Sequence, residues 1–284
     1  MSGTLYVVAT PIGNLEDLTP RARKTLVAVD LVAAEDTRHT GRLLSSIGVR
    51  TALLALHDHN EAEVVPGIVE RLTAGQSVAL VSDAGTPLVS DPGYRLVRAA
   101  HEHGITVSPL PGASALTAAL SVAGLPTDRF CFEGFAPSKR AARRQWLAGL
   151  AAEERTMVMY ESVHRIDECL ADMVEILGAD RQGFIGRELT KMHEQLVRGS
   201  LGGLQAMIVD GSIVRKGEFV VVVAGAEKTA AVDLDADRLL MDLREHLPAK
   251  AAAAIAARAT GLKRTRFISA YSNSKPAVTR HSNR

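Results

Sequence analysis

The residues best placed to do chemistry lie in one run, Asp83-Ala84-Gly85-Thr86-Pro87-Leu88-Val89-Ser90-Asp91-Pro92-Gly93, between an apolar stretch at 78–81 and a helix-like stretch at 94–103. Gly85 and Gly93 can bring backbone close to a ligand or take φ > 0, Pro87 and Pro92 fix φ, and Asp83 sets a carboxylate at a strand's end. In α/β proteins ligands bind at that edge. A turn with ordinary glycine and proline punctuation accounts for the same letters. A second polar cluster, His57-Asp58-His59-Asn60-Glu61, invites a metal. Two histidines at i and i+2 point to opposite sides of an extended segment, so the cluster reads as a pocket wall or helix cap and no metal is expected. The chain has no Gly-x-Gly-x-x-Gly after its first strand, no Walker A pattern, no Gly-x-Ser-x-Gly elbow and no Cys/His zinc spacing.

Such loops need a sheet to hold them. Apolar β-type runs at 5–9, 31–34, 52–56, 78–81 and 106–110 alternate with helical patterns at 38–47 and 62–72, the rhythm of a parallel sheet with crossover helices. Thr19 can cap the first helix and Pro20 suits its first turn. Residues 123–128 read as a linker, and further strands are expected at 130–135, 156–160, 184–187, 195–199 and 219–224. The last, with five consecutive apolar residues, belongs near the middle of its sheet. Val163, Ile166, Leu170, Met173 and Leu177 recur at helical spacing as a core stripe. Helices with basic edges follow at 250–260 and 263–271. The expected domains are 1–124, 129–228 and 233–284, the last ending in a disordered tail.

A chain of 284 residues with 46% hydrophobic content suits about two domains. No apolar stretch approaches the ~20 residues of a membrane span and no cationic leader precedes the first apolar run, so a cytoplasmic protein is expected. Cys131 and Cys169 read as buried thiols. Residues 247–284 carry eight cations and no acid, leaving −7 on the first 246 out of a net +1. A basic tail on an acidic body fits nucleic-acid binding, and equally a solvated tail.

Six motifs in order carry a resemblance: residues 7–15 (Val-Val-Ala-Thr-Pro-Ile-Gly-Asn-Leu), Glu35-Asp36-Thr37-Arg38, the 57–61 cluster, Asp83-Ala84-Gly85-Thr86-Pro87, Pro111-Gly112-Ala113-Ser114-Ala115 and Gly186-Arg187-Glu188-Leu189-Thr190-Lys191. Together they resemble the tetrapyrrole-methylase superfamily, and more closely its ribosomal RNA branch of small-subunit cytidine 2′-O-ribose methyltransferases. The resemblance implies an α/β fold of two α/β domains with a cofactor cleft between them and a short helical basic C-terminal extension. It also implies a homodimer, S-adenosylmethionine as cofactor, and methylation of cytidine 1402 of 16S ribosomal RNA in the small subunit. Carried onto this chain, it puts cofactor contacts at Pro11, Asp83, Ala84, Gly85, Thr86, Pro87, Leu88, Ser114 and Ala115, with Met159, Tyr160, Arg187, Glu188 and Leu189 closing from the second domain.

A ribose 2′-hydroxyl is a weak acid, so a carboxylate or a lysine of depressed pKa could accelerate transfer by ~10²–10⁴-fold. Glu35, Asp36, Glu188 and Lys191 are the candidates, with Arg38 and Asn60 orienting phosphate or ribose; for each, a salt bridge or helix cap explains the residue as well. Lys139, Arg140, Arg143 and Arg144 are expected to spread four cations over one helix side as an RNA patch, joined by Lys263, Arg264 and Arg266. A methyltransferase of the same fold acting on a tetrapyrrole or a protein, and a non-catalytic RNA-binding assembly factor, remain open alternatives.

Overall fold

The computed structural model describes residues 2–227, 236–260, 262, 264, 265, 267 and 268. Contacts divide the chain into one unit, Met1–Ala226, and a second, Glu227–Arg284. The boundary expected at 124–129 falls inside the first unit, where it separates the strands of two five-stranded sheets.

The first sheet comprises β1 (Thr4–Val8), β2 (Leu31–Ala34), β3 (Leu53–Ala55), β4 (Val78–Val81) and β5 (Thr106–Leu110), all parallel in the order β3-β2-β4-β1-β5. Helices α1 (Pro20–Ala28) and α2 (Thr37–Ser46) press Leu26 and Leu44 onto Val8, Val32 and Val81 of one face. On the other face, α3 (Glu61–Thr73) and α4 (Tyr94–Glu102) press Ile68, Leu72 and Leu96 onto Leu5, Ala33 and Leu80. Burial on both faces explains why these strands read as unbroken apolar runs. As expected, Thr19 caps α1 by accepting from Ala22 N at 3.1 Å, and Pro20 opens the helix. Neighbouring β1 and β4 send their helices to opposite faces, which opens a crevice at the strands' C-terminal ends.

The second sheet is built from β6 (Phe130–Phe135), β7 (Thr156–Ser162), β8 (Gln182–Arg187), β9 (Gln195–Ser200) and β10 (Glu218–Val223), in the order β6-β7-β10-β8-β9. Only β6 and β7 pair in parallel. β10 is central, as its apolar run requires: Phe219, Val221 and Val223 enter a core with α6 (Arg140–Leu150), α7 (Ile166–Leu177) and α8 (Leu201–Val209). Its alternate residues Val220 and Val222 meet Ala119, Leu120 and Ala123 of α5 (Ala115–Ala123). Since α5 emerges from β5 yet covers the second sheet, the two sheets are tied by a shared helix. The 163–177 stripe supplies Ile166, Leu170 and Met173 to the α7 core. Both cysteines are free, Cys169 buried and Cys131 half-buried.

In the second unit, α9 (Ala236–His246) and α10 (Ala249–Thr260) gather Leu240, Ala252, Ala253, Ala256 and Phe267 into a small core of their own. Arg264 is exposed and donates to Lys250 O at 3.3 Å. Lys263 and Arg266 lie outside the described residues. Among the described residues no helix is long and apolar enough to cross a membrane.

The basic helix α6 corrects an expectation. Arg143 is fully buried, with Nε 2.8 Å from Asp172 Oδ2 and Nη2 3.2 Å from Glu168 Oε2. Asp172 also receives Arg140 at 3.1 Å and Arg144 at 3.2 Å, and Arg144 pairs with Glu175. The acids of α7 therefore take up three of the four cations: Arg143 belongs to the helix–helix junction, Arg144 is half-buried, and Arg140, though paired, stays exposed with Lys139. Removing one partner of a buried pair strands the other charge at a cost of ~3–5 kcal/mol, whereas replacing both is close to neutral. Urea denaturation should show Asp172→Ala losing stability in that range, and Arg143→Met with Asp172→Leu recovering most of it.

Candidate functional site

The crevice between β1 and β4 is closed by their loops. Thr10 and Gly85 exchange backbone hydrogen bonds in both directions, N to O at 2.8 and 3.1 Å, and the buried Thr10 hydroxyl donates to Ser82 O at 3.3 Å. Gly85 takes φ 84°, a region open to glycine at no steric cost. Leu88 and Ser90, at φ 72° and 66°, lack that freedom, as do Glu188 and Thr190, at 51° and 66°, on the loop after β8. Non-glycine residues held in the left-handed region persist where the surroundings over-determine them, and they cluster at ligand sites.

A cleft of about 420 Å³ opens above this bridge, between the C-terminal edge of the first sheet and the β6, β7 and β10 ends of the second. Asp83, Ala84, Gly85, Thr86, Ser114, Ala115 and Tyr160, all expected cofactor contacts, line it, as does Glu35. Tyr160 packs edge-on against Phe132 at 4.9 Å and Phe135 at 5.7 Å, and Phe135 extends this aromatic wall along the cleft.

Other expected contacts lie elsewhere. Pro11 lines an adjoining cavity. Pro87 is buried beneath the loop, Leu88 packs against the α3–α4 core, and Leu189 is buried against α5. The Met159 side chain points into the α7 core, away from the cleft, because strand alternation gives that side to Tyr160. Arg187 does not pair with Glu188; its guanidinium donates to Lys216 O at 2.6 Å and His193 O at 2.7 Å, tying down the loop.

Asn60 is likewise occupied, accepting from His57 N at 2.8 Å and donating to Ala55 O at 3.1 Å. The segment around it is a turn, not extended, so the His57 and His59 rings meet edge-on with centroids 6.1 Å apart. Among the described residues no three His, Cys, Asp or Glu converge to hold a metal.

The sequence reading passed over several cleft residues: Ser90, Asp91, Phe135, Glu161, Ser162 and Glu218. Ser90 and Asp91 stand in the run first singled out. The others sit at strand ends of a mixed sheet, where the rule of C-terminal edges does not apply: antiparallel pairing brings the N-terminal Glu218 of β10 level with Ser162 at the end of β7.

Electrostatics sort the candidate bases. Asp36 caps α2 and pairs with Arg38 at 2.8 Å, which holds its carboxyl far below the ordinary range and occupies Arg38 as well. Burial works against the Lys191 charge, but hydrogen bonds to Glu188 at 2.8 Å and Glu218 at 2.9 Å outweigh it and raise its pKa, so Lys191 stays an ammonium. Glu188 is also penalised by burial, yet its bonds from Lys191 and the Glu218 amide leave it lowered. Glu35 goes the other way: burial raises it, the Asp83 amide pulls it back in part, and the charges of Asp83, Asp58 and Asp36 add to the rise. Asp91 is pushed up to about 6, first by burial and then by Glu35, Asp83 and Asp58. Asp83 accepts from Asp36 N at 3.1 Å, and its own amide points at Glu35 Oε2 at 3.4 Å. The cleft thus concentrates carboxylates against an aromatic wall, an arrangement suited to a cationic ligand with a flat ring.

Residues 4–205 match the family described as Tetrapyrrole (Corrin/Porphyrin) Methylases, and residues 230–266 match one described as RsmI C-terminal HTH domain. The chain is 53% identical over 263 residues to the ribosomal RNA small subunit methyltransferase I of Xylella fastidiosa strain Temecula1, covering 92% of this chain and 96% of that one. To its namesake from Escherichia coli O157:H7 it is 52% identical, with 92% of each covered. Among solved structures, a uroporphyrin-III-C-methyltransferase from Thermus thermophilus superposes with TM-score 0.56 at 20% identity, over 78% of this chain and 94% of that one. A Thermus thermophilus uroporphyrin-III C-methyltransferase complexed with S-adenosyl homocysteine gives 0.52 at 20% identity, over 78% and 97%.

A carboxyl whose folded pKa lies above its unfolded value binds more protons in the folded state, so its contribution to stability falls as pH rises through that interval. For Asp91 the window runs from about 3.8 to about 6. Thermal melts across it should show wild type losing stability relative to Asp91→Asn as pH rises, with the gap constant above it.

Proposed function

Because the chain belongs to the tetrapyrrole (corrin/porphyrin) methylase family, we propose that it transfers a methyl group from S-adenosylmethionine to the 2′-oxygen of cytidine 1402 in the 16S RNA of the small ribosomal subunit. Relatives of matching length and about half-identical sequence are named for small-subunit RNA methylation, and the domain matched at 230–266 accompanies that branch. In this reading the enzyme acts in the cytoplasm as a homodimer.

One observation of the structure supports the reading: four of the six motifs, through Ile12, Glu35, Asp83 to Thr86, and Ser114 with Ala115, meet in one cleft whose side chains fit this cofactor. Glu35, Asp83 and Asp91 supply negative charge for a sulfonium and an ammonium, while Phe135 and Tyr160 offer rings to an adenine. Ala84, Gly85, Ser114 and Ala115 are small enough to leave main-chain groups open to hydrogen bonding. When bound, S-adenosylmethionine supplies an electrophilic methyl on an already activated leaving group.

The protein's share is therefore mostly positioning, which holding two reactants in line can make worth several orders of magnitude. With the cofactor bound, transfer to the ribose would displace the neutral thioether and release the proton of the 2′-hydroxyl, which a group of this chain would accept. Lys191, kept protonated by two carboxylates, does not take it. Asp91, pushed up to about 6, and Glu35, raised by burial, are the carboxylates of the cleft assigned to take it.

The deciding experiment is transfer of labelled methyl to small subunits lacking this modification, with free 16S RNA alongside, followed by mapping of the modified ribose. Label at the 2′-position of cytidine 1402 supports the proposal; cofactor binding with no transfer to either substrate overturns it. A second outcome concerns Asp83. Asp83→Asn keeps an acceptor for the Asp36 amide but removes the charge, and calorimetry should find S-adenosylmethionine bound ~10-fold more weakly or worse, the worth of a charge-assisted contact.

A further inference from the structure

Beside the cleft lies a second cavity of about 430 Å³, which shares Ile12, Asp83, Ala84 and Glu218 with it. One wall is a stripe of α2. His39, Arg42, Leu43 and Ser46 stand at i, i+3, i+4 and i+7 and so share a helix face, while Thr40 and Leu44 turn into the protein. Another wall is Lys191, whose stem lies over Gly13 so closely that a Cβ there would meet Lys191 Cγ at 2.2 Å. Its ammonium is already neutralised by Glu188 and Glu218.

Arg42 differs from the other cations nearby. Arg38 is spent on Asp36, whereas Arg42 faces the cavity and is exposed, and its guanidinium makes no hydrogen bond or ion pair within the described residues. A guanidinium with no internal acid, beside an exposed histidine, is matched by an anion from outside, and its planar fork suits a phosphate. Leu15, 55% exposed, gives the same cavity an apolar rim, and the volume is that of a small-molecule site.

We propose that this cavity seats the acceptor nucleotide of the RNA, everted from its stack, with its phosphate on Arg42 and His39 and its ribose toward the Asp83–Ala84 wall shared with the cleft. The proposal rests on the methyltransferase reading, since the shared wall is what brings acceptor and donor together. Eversion answers a need of the chemistry: a nucleotide stacked in a helix cannot enter a closed pocket, and enzymes that modify one take it out of the stack. It also replaces Arg38 and Asn60 as the phosphate-orienting pair, because both are consumed by local contacts.

The test compares Arg42→Glu with Arg98→Glu, which makes the same charge change on α4 away from the cavity, and with the conservative Arg42→Lys. Methyl transfer to small subunits gives the KM for the acceptor, calorimetry gives S-adenosylmethionine affinity, and cytidine 5′-monophosphate titrated by NMR probes the cavity without catalysis. Arg42→Glu should raise the acceptor KM about 10-fold or more and flatten its salt dependence by about one unit of slope. Cofactor affinity should stay within about two-fold, nucleotide binding should be lost, and Arg42→Lys should recover part of both. An acceptor KM and nucleotide affinity no different from those of Arg98→Glu overturn the proposal. If wild type modifies no ribosomal particle, the RNA reading fails on its own; nucleotide binding that still depends on Arg42 then upholds the cavity assignment, and binding that is absent or independent of Arg42 sinks it.

Discussion

The two-way backbone exchange between Thr10 and Gly85 is the constraint from which the site follows. Two parallel strands that send their helices to opposite faces leave a gap at their ends, and the loops crossing that gap have amides and carbonyls to satisfy. Here they satisfy one another, with the Thr10 hydroxyl taking up Ser82 O. Because backbone meets backbone, the residues at the junction must be small or tolerate φ > 0, which is what Gly85 supplies.

That arrangement explains why acids can gather there. Glu35 and Asp36 end β2, and Asp83 ends the adjacent β4, so parallel pairing alone sets them side by side. Repulsion is moderated by assigning different partners: Asp36 to Arg38 and its own helix, Asp83 to the Asp36 amide. Glu35 and Asp91 keep raised pKa values, first from burial and then from the neighbouring carboxylates. A cation bound in the cleft would relieve a tension that folding alone leaves in place, so the electrostatics of the free protein already encode the charge of its ligand.

Much of this was legible in the letters, for identifiable reasons. Strands β2, β4, β5 and β6 fall at the expected residues; for β2 and β4 the reason is that fully buried strands are continuous apolar runs with sharp polar ends, whereas the edge strands β5 and β6 are only partly buried. The central place of β10 follows from the same reasoning, since only a strand covered on both faces can afford five apolar residues in a row. What sequence could not supply was the partner across space. Arg143 looks like its neighbours on a helical wheel, and only the approach of Asp172 and Glu168 from α7 shows that it is interior. Met159 and Tyr160 both stand in the apolar run of β7, and which of them faces the cleft is decided by the register with β10. The antiparallel pairing of β7 with β10 hides Glu218 and Ser162 in the same way.

The distribution of cations has a further consequence for recognition. A nucleic-acid enzyme is expected to advertise basic surface, yet the first unit neutralises most of the cations around its site internally: Arg140, Arg143 and Arg144 on the α7 acids, Arg38 on Asp36, Lys191 on Glu188 and Glu218. Paired cations stiffen loops and helix junctions but offer little counterion release. Sequence-independent attraction is left to cations with no acid partner, such as Arg42 and Lys139, and is open to the C-terminal segment, which carries eight cations and no acid over residues 247–284. Such a division separates two tasks that one continuous basic face would confound. The segment rich in cations can bring RNA near at a rate governed by salt, and the site, whose charges are mostly acidic or paired, can discriminate by shape and by the placement of a single guanidinium.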